Sequence, residues 1–120
     1  MRDSISLALA LVFTAPATGQ QQEKVPEQFH GKWAAKAAQC GIPAELNLFV
    51  SASRVDFYES NGRVLSVKIV NRSVIEVEVE LSSEEGAVGR RTLRLALSPD
   101  GRMLTDQTTP DHQTTRVRCK

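Results

Sequence analysis

Val74-Ile75-Glu76-Val77-Glu78-Val79-Glu80-Leu81 and, after a glycine-containing turn, Arg91-Thr92-Leu93-Arg94-Leu95-Ala96-Leu97 decide the fold class. Ile75, Val77, Val79 and Leu81 alternate strictly with Glu76, Glu78 and Glu80, and a period of two belongs to a strand with one buried side. Leu93, Leu95 and Leu97 repeat the period. The pattern predicts an antiparallel hairpin with Arg90, Thr92 and Arg94 sharing the outer face with the glutamates. Each cross-strand Glu–Arg neighbour then adds a few tenths of a kcal/mol. A slip of one residue would set leucines against glutamates on both faces, so the pattern also specifies the register.

The flanking sequence continues the same grammar. A strand is expected from Glu45 to Val50, with Leu46, Leu48 and Val50 on one side. Val55 to Tyr58 and Arg63 to Val70 form a second hairpin around Ser60-Asn61-Gly62. A two-residue Asn61-Gly62 turn and a three-residue loop with Gly62 in the left-handed position both fit. The three-residue loop keeps burial consistent, pairing Phe57 with Leu65 and Val55 with Val67, with Ile69 on the same face. Asn71-Arg72-Ser73 is a turn, Ser82 to Gly89 a loop, and Ser98-Pro99-Asp100-Gly101 a turn in which Pro99 presets φ and Gly101 takes the left-handed position. Strands follow over Arg102 to Thr105 and Thr114 to Cys119. Alanine-rich Ala34 to Gln39 predicts one helical turn, ended by Gly41 as a left-handed cap and by Pro43.

About eight short strands in sequence order, with little helix, predict an all-β fold: a small antiparallel up-and-down β-barrel, because closure removes exposed edges. A two-sheet β-sandwich is the alternative, and the five-stranded oligonucleotide-binding barrel ranks third. Val55, Phe57, Leu65, Val67, Ile75, Val77, Val79, Leu93 and Leu95 are bulky enough to fill so narrow a barrel, which argues against a roomy lipid cavity.

The 120 residues suit one domain. Residues 1–19 have Arg2, an apolar run from Ile5 to Phe13 and small residues at Ala15, Ala17 and Gly19, the pattern of a secretory signal peptide cleaved after Ala17 or Gly19. That run is too short for a membrane span, so no stable membrane insertion is expected after cleavage. Polar residues 20–28 read as an N-terminal arm, and 29–120 as the barrel domain. In an exported chain, Cys40 and Cys119 are expected to form one disulfide. A metal site is not expected, since His30 and His112 stand at no ligand spacing. The net charge of +1 and the even spread of charges give no reason to invoke nucleic acid, and a periplasmic or secreted monomer is expected.

For catalysis one looks for a nucleophile with its base, a carboxylate pair in a cleft or a metal triad. The sequence shows no such constellation, so neither catalytic residues nor a cofactor are assigned. His30 is expected to act locally, His112 to be solvated, and the glutamate row to be an ordinary sheet face.

Phe29-His30-Gly31-Lys32-Trp33, with the closing Arg116-Val117-Arg118, resembles the lipocalin-like (calycin) pattern. That resemblance implies that Gly31 opens the first strand and that Trp33 packs against Arg116 or Arg118. The same opening, with Phe57-Tyr58-Glu59-Ser60 and Cys119, resembles a group of small exported bacterial proteins. Small periplasmic inhibitors of secreted metalloproteases share the Gly-x-Trp opening, which implies an inhibitory role for the arm of residues 20–28. The expected function is a non-catalytic exported β-barrel that binds an unknown protein or small ligand. The alternative is a protein inhibitor of a secreted hydrolase, a protease or lysozyme, acting through that arm or the Ser82 to Gly89 loop.

Overall fold

The structure, a computed structural model, describes residues 20–120; the expected signal peptide lies outside them. Among the described residues, nine strands form one antiparallel sheet: β1 (Gln20–Gln22), β2 (Gly31–Ala34), β3 (Leu48–Val50), β4 (Arg54–Asp56), β5 (Asn61–Asn71), β6 (Val74–Ser83), β7 (Gly86–Leu97), β8 (Met103–Asp106) and β9 (Thr114–Arg118). Strands β2 to β9 pair in sequence order and β9 pairs back onto β2, closing an eight-stranded up-and-down barrel. The extra strand β1 lies on β5.

The β6–β7 hairpin has the expected register. Ile75 faces Leu95 and Val77 faces Leu93, while Glu76, Glu78 and Glu80 face Arg94, Thr92 and Arg90. The expected Ser82 to Gly89 loop is instead mostly strand. Pairing continues to Ser83 and Gly86, and only Glu84-Glu85 turn. A register shift after Leu81, with Gly86 at φ +120° and Gly89 at φ +121°, absorbs the extra residue as a bulge that side chains would resist.

Neither expected turn joins β4 to β5. Val55 pairs with Gly62 and Asp56 with Asn61, leaving Phe57 to Ser60 as the connection. Gly62 has another role than a left-handed turn: a Cβ there would lie 2.4 Å from the Val55 carbonyl oxygen. The glycine allows two backbones to approach. A second shift, between Val64 and Ser66, makes Leu65 the bulged residue. Val64, Val67 and Ile69 are therefore buried, whereas Leu65 leaves the face expected for it.

Two smaller differences surround β3. It begins at Leu48, and Leu46 is exposed because it belongs to the preceding connection. The expected helical turn is a single 3-10 turn at Ala37–Gln39, since Ala34 is held in β2 and Gly41 is not among the positive-φ glycines.

The interior is packed. Trp33, Phe29, Leu48, Val50, Val55, Val67, Ile75, Val77, Val79, Leu93, Leu95 and Leu104 are almost fully buried. The folded unit also reaches further back than Phe29. Gln20, Gln21 and Gln22 pair with Ile69, Lys68 and Val67. Val25 is buried, its N–H donating to the Ala52 carbonyl at 2.9 Å. The polar arm is thus an edge strand, which needs few apolar side chains because it adds backbone pairing to a core already formed.

Cys40 and Cys119 form the disulfide, 79 residues apart in sequence. Lys32 Nζ donates to the Cys40 carbonyl, and Cys119 N–H donates to that of Lys32, so the bridge folds the long β2–β3 connection back against β2. The alternating meander places the connections 35–47, 57–60, 84–85 and 107–113 at one end of the barrel, called here the loop end.

Gly62→Ala is expected to lower unfolding stability by about 1–3 kcal/mol through overpacking against Val55. Chemical denaturation checks this, and an unchanged midpoint would contradict the close approach. Replacing Cys40 and Cys119 by serine is expected to cost about 2–5 kcal/mol, chiefly by freeing the unfolded chain, measured by the same unfolding curves.

Candidate functional site

The end opposite the loops is closed by residues singled out in the sequence. Gly31, at φ +133°, starts β2. Two residues later the Trp33 indole is fully buried and donates from Nε1 to the Phe29 carbonyl at 3.1 Å. Arg118 pairs directly with Trp33 across the β2–β9 ladder, and its guanidinium carbon lies 4.3 Å from the ring centroid. It then spends its donors on three carbonyls: Nε on Gly101 at 2.9 Å, Nη1 on His30 at 2.6 Å and Nη2 on Gln28 at 2.8 Å. A Cβ on Gly31 would sit 3.1 Å from Arg118 Nη1, so the glycine makes room for the guanidinium. One side chain thereby joins the first barrel strand, the last strand and the β7–β8 turn.

Arg116, the other arginine the pattern offered, is not over the indole. It is 5 % exposed, and its Nε donates to the Leu46 carbonyl. Burial lowers its pKa and the charge of Asp106 opposes that shift. Gly31, Trp33 and Arg118 therefore meet at one end, while Arg116 packs against the β2–β3 connection.

His30 Nε2–H donates to the Val25 carbonyl at 2.8 Å. The ring holds the N-terminal strand's return path, a local role. Glu76 pairs with Arg94 at 2.8 Å and Glu80 with Arg63 at 2.7 Å, while Glu78 has Arg90 at 4.0 Å. The hydrogen bond from Arg63, then its charge, lowers the Glu80 pKa. Neutralised along its length, the glutamate row specifies pairing and offers no concentrated charge.

The loop end is different in character. An open cleft of about 580 Å³ lies between the β4–β5 connection and the β6–β7 turn, lined by Tyr58, Glu59, Ser60, Ser83, Glu84 and Glu85 among others. A smaller hollow of about 240 Å³ beside it reaches Phe57, Leu81 and Arg91. Among the described residues, six large apolar side chains are exposed, and four of them, Ile42, Leu46, Tyr58 and Val88, belong to segments at this end. The exceptions, Phe49 and Met103, lie on the short wall strands β3 and β8. The cleft combines an aromatic ring, hydroxyls and three carboxylates, a set suited to binding through contact and hydrogen bonds. Among the described residues, no group of three or more His, Cys, Asp or Glu is placed to hold a metal ion.

Sequence reasoning pointed to this end only through the Ser82 to Gly89 segment. It misses the Tyr58 rim because the pattern of Val55 to Tyr58 predicts strand through Tyr58, whereas β4 ends at Asp56. The remaining signal was there: Glu59-Ser60-Asn61 is polar enough to begin a turn earlier. No protein-family model matches the chain, and no curated protein or solved structure matches it either.

Arg118→Lys keeps the charge but loses the planar fork that reaches three carbonyls. It is expected to lower stability by about 1–3 kcal/mol, whereas Arg116→Met, which removes a buried charge, is expected to be neutral or stabilising. Thermal unfolding of the two variants checks the contrast. Because the Glu80 pKa is depressed on folding, its contribution is present above the ordinary glutamate pKa and is lost as pH falls through the lower folded value. Carboxyl-resonance titration is expected to find Glu80 below the ordinary glutamate value in the native protein and back toward it in Arg63→Gln.

Proposed function

We propose that this chain is a non-catalytic, exported β-barrel binding protein that meets its partner with the loop end. The observation that carries this reading is the open cleft at one end, between the β4–β5 connection and the β6–β7 turn, rimmed by the exposed Tyr58 ring, with exposed Val88 on the adjoining hairpin. The other end is occupied by the Arg118 and Trp33 closure. A lipocalin-like relationship is supported by Gly31, Trp33 and Arg118 meeting in the manner that pattern implies. The buried Trp33, Phe29, Leu48, Ile75, Leu93 and Leu104 side chains of the interior argue that the partner is met at the rim. Export is supported by the signal-like composition of residues 1–19 and by the Cys40–Cys119 bridge, which belongs to an oxidising compartment. Among the described residues, no helix is long and apolar enough to cross a membrane.

A second reading, inhibition of a secreted hydrolase, is favoured by the β6–β7 hairpin. Its tip from Gly86 to Thr92 is exposed and runs past the region where β8 pairs. A hairpin of that kind suits insertion into an enzyme cleft. The N-terminal arm suits the role less well, because its first residues are committed to pairing with β5.

Immobilised protein, incubated with the exported fraction of its source cells, is expected to retain one stoichiometric partner. A triple variant, Leu46→Ser, Tyr58→Ser and Val88→Ser, is expected to lose it, while Phe49→Ser with Met103→Ser on the wall keeps it. Equal retention by both variants, or no retention by the parent protein, would overturn the reading. Assaying the recovered partner for hydrolase activity with and without the barrel separates inhibition from simple binding.

A further inference from the structure

The three long strands outrun their short neighbours on both sides, and the chain treats the two surplus edges differently. On β5, β4 covers Asn61–Arg63 and the extra strand β1 covers Val67–Ile69. On β7, β8 pairs only with Leu95–Leu97, and the β8–β9 connection adds bonds at Arg94. Among the described residues, no strand flanks β7 on that side beyond Arg94. Gly86 to Thr92 are exposed throughout.

The direction of the free groups follows from the bonds at Arg94. Its N–H donates to Thr108 Oγ1 at 3.0 Å and its carbonyl accepts from Gln107 N–H at 2.8 Å, so both point away from β6. In an antiparallel strand the N–H and C=O of alternate residues share a side. Thr92 and Arg90 therefore present their backbone groups to the same open edge. Polar edge groups left in this way are a template for another strand.

We infer that the β7 edge around Arg90 and Thr92 is a strand-addition site for an extended, acidic segment of a partner protein. This rests on the reading of the loop end as the binding surface and names the chemistry of what binds there. Main-chain bonds to Arg90 and Thr92 supply affinity, and side chains alternating across the sheet supply selectivity. Arg90 stands on the outer face, its side chain 67 % exposed, opposite Glu80 in register and 4.0 Å from Glu78, with its outer side open to a further carboxylate. Arg91, paired with Val79, stands on the opposite face beside the smaller hollow. A visiting strand thus meets one guanidinium on each face, whichever way its side chains alternate. Glu84 and Glu85 sit beyond Gly86 at the hairpin tip, away from this pair in register.

A second copy of the chain fits poorly on the same edge. Two-fold antiparallel pairing of β7 with itself, centred on Arg90 or Arg91, sets an arginine directly opposite its own copy, which is destabilising. Carboxylates opposite the same positions are favourable.

The test uses the folded protein and a capped peptide alternating valine with glutamate, its lysine counterpart, and a version N-methylated at alternate amides. In the free protein the Arg90 and Thr92 amides are expected to exchange with solvent without protection. Saturating glutamate peptide is expected to slow both by at least about tenfold. The lysine and N-methylated peptides are expected to bind at least about tenfold more weakly, and so is the glutamate peptide to an Arg90→Glu, Arg91→Glu double variant. Absence of binding, equal binding of the lysine peptide, or protection of these amides in a self-associated protein would each overturn the inference. Its failure stays separate from that of the loop-end reading. Partner capture that survives the double variant sinks only the strand-addition site, whereas peptide binding with no capture sinks only the broader reading.

Discussion

Closure of the barrel between β2 and β9 is the constraint on which the other features depend. The contact is short, Trp33 with Arg118 and Ala34 with Val117, and so few ladder positions would be a weak seam alone. Three additions secure it: the Arg118 guanidinium on the Trp33 ring, the bonds from that guanidinium to Gln28, His30 and Gly101, and the Cys40–Cys119 bridge. A desolvated cation–π contact adds on the order of 0.5–2 kcal/mol. Each addition joins segments far apart in the chain, so together they fix the ends of a meander whose other contacts are mostly between sequence neighbours.

Closing so small a barrel also decides where function can lie. With valine, isoleucine or leucine from β3 to β8 and Trp33 from β2 buried together, the interior becomes a solid core. One end is then spent on the seam. The proposed recognition is placed at the other end, where the connections are longer, the Tyr58 cleft opens and β6 and β7 extend past their neighbours. The hairpin with the clearest alternation in the sequence thus has two halves with different duties. From Ile75 to Val79 it is barrel wall, and beyond Leu81 it is a projecting edge.

Much of the architecture was legible from periodicity. Glu76, Glu78 and Glu80 opposite Arg94, Thr92 and Arg90 specify register through alternation alone, and the Ser98 to Gly101 turn follows from Pro99, Asp100 and Gly101, the last at φ +74°. The disulfide followed from a cysteine count. The misassigned places share a cause: each depends on tertiary spacing that a local pattern does not carry. Gly62 has the look of a turn glycine, but its reason is the nearby Val55 carbonyl. Leu65 lost its place to Val64 because a bulge shifts the phase of β5, and the sequence has no marker for it. The glutamines of β1 have no apolar period because an added edge strand needs backbone groups more than side chains. The loop-end cleft was only partly readable, since Tyr58 and the Ser83 to Glu85 turn come together through topology.

The most direct measurement places a photo-reactive amino acid at single positions in the full chain, expressed in its own cells, and asks which positions form covalent adducts on irradiation. Tyr58 and Val88 sample the loop end, while Arg72 and Pro99 sample the opposite end. Recognition at the loop end predicts one common partner adduct from Tyr58 and Val88 and none from Arg72 or Pro99. Adducts from Arg72 or Pro99, with none from the loop end, would contradict it.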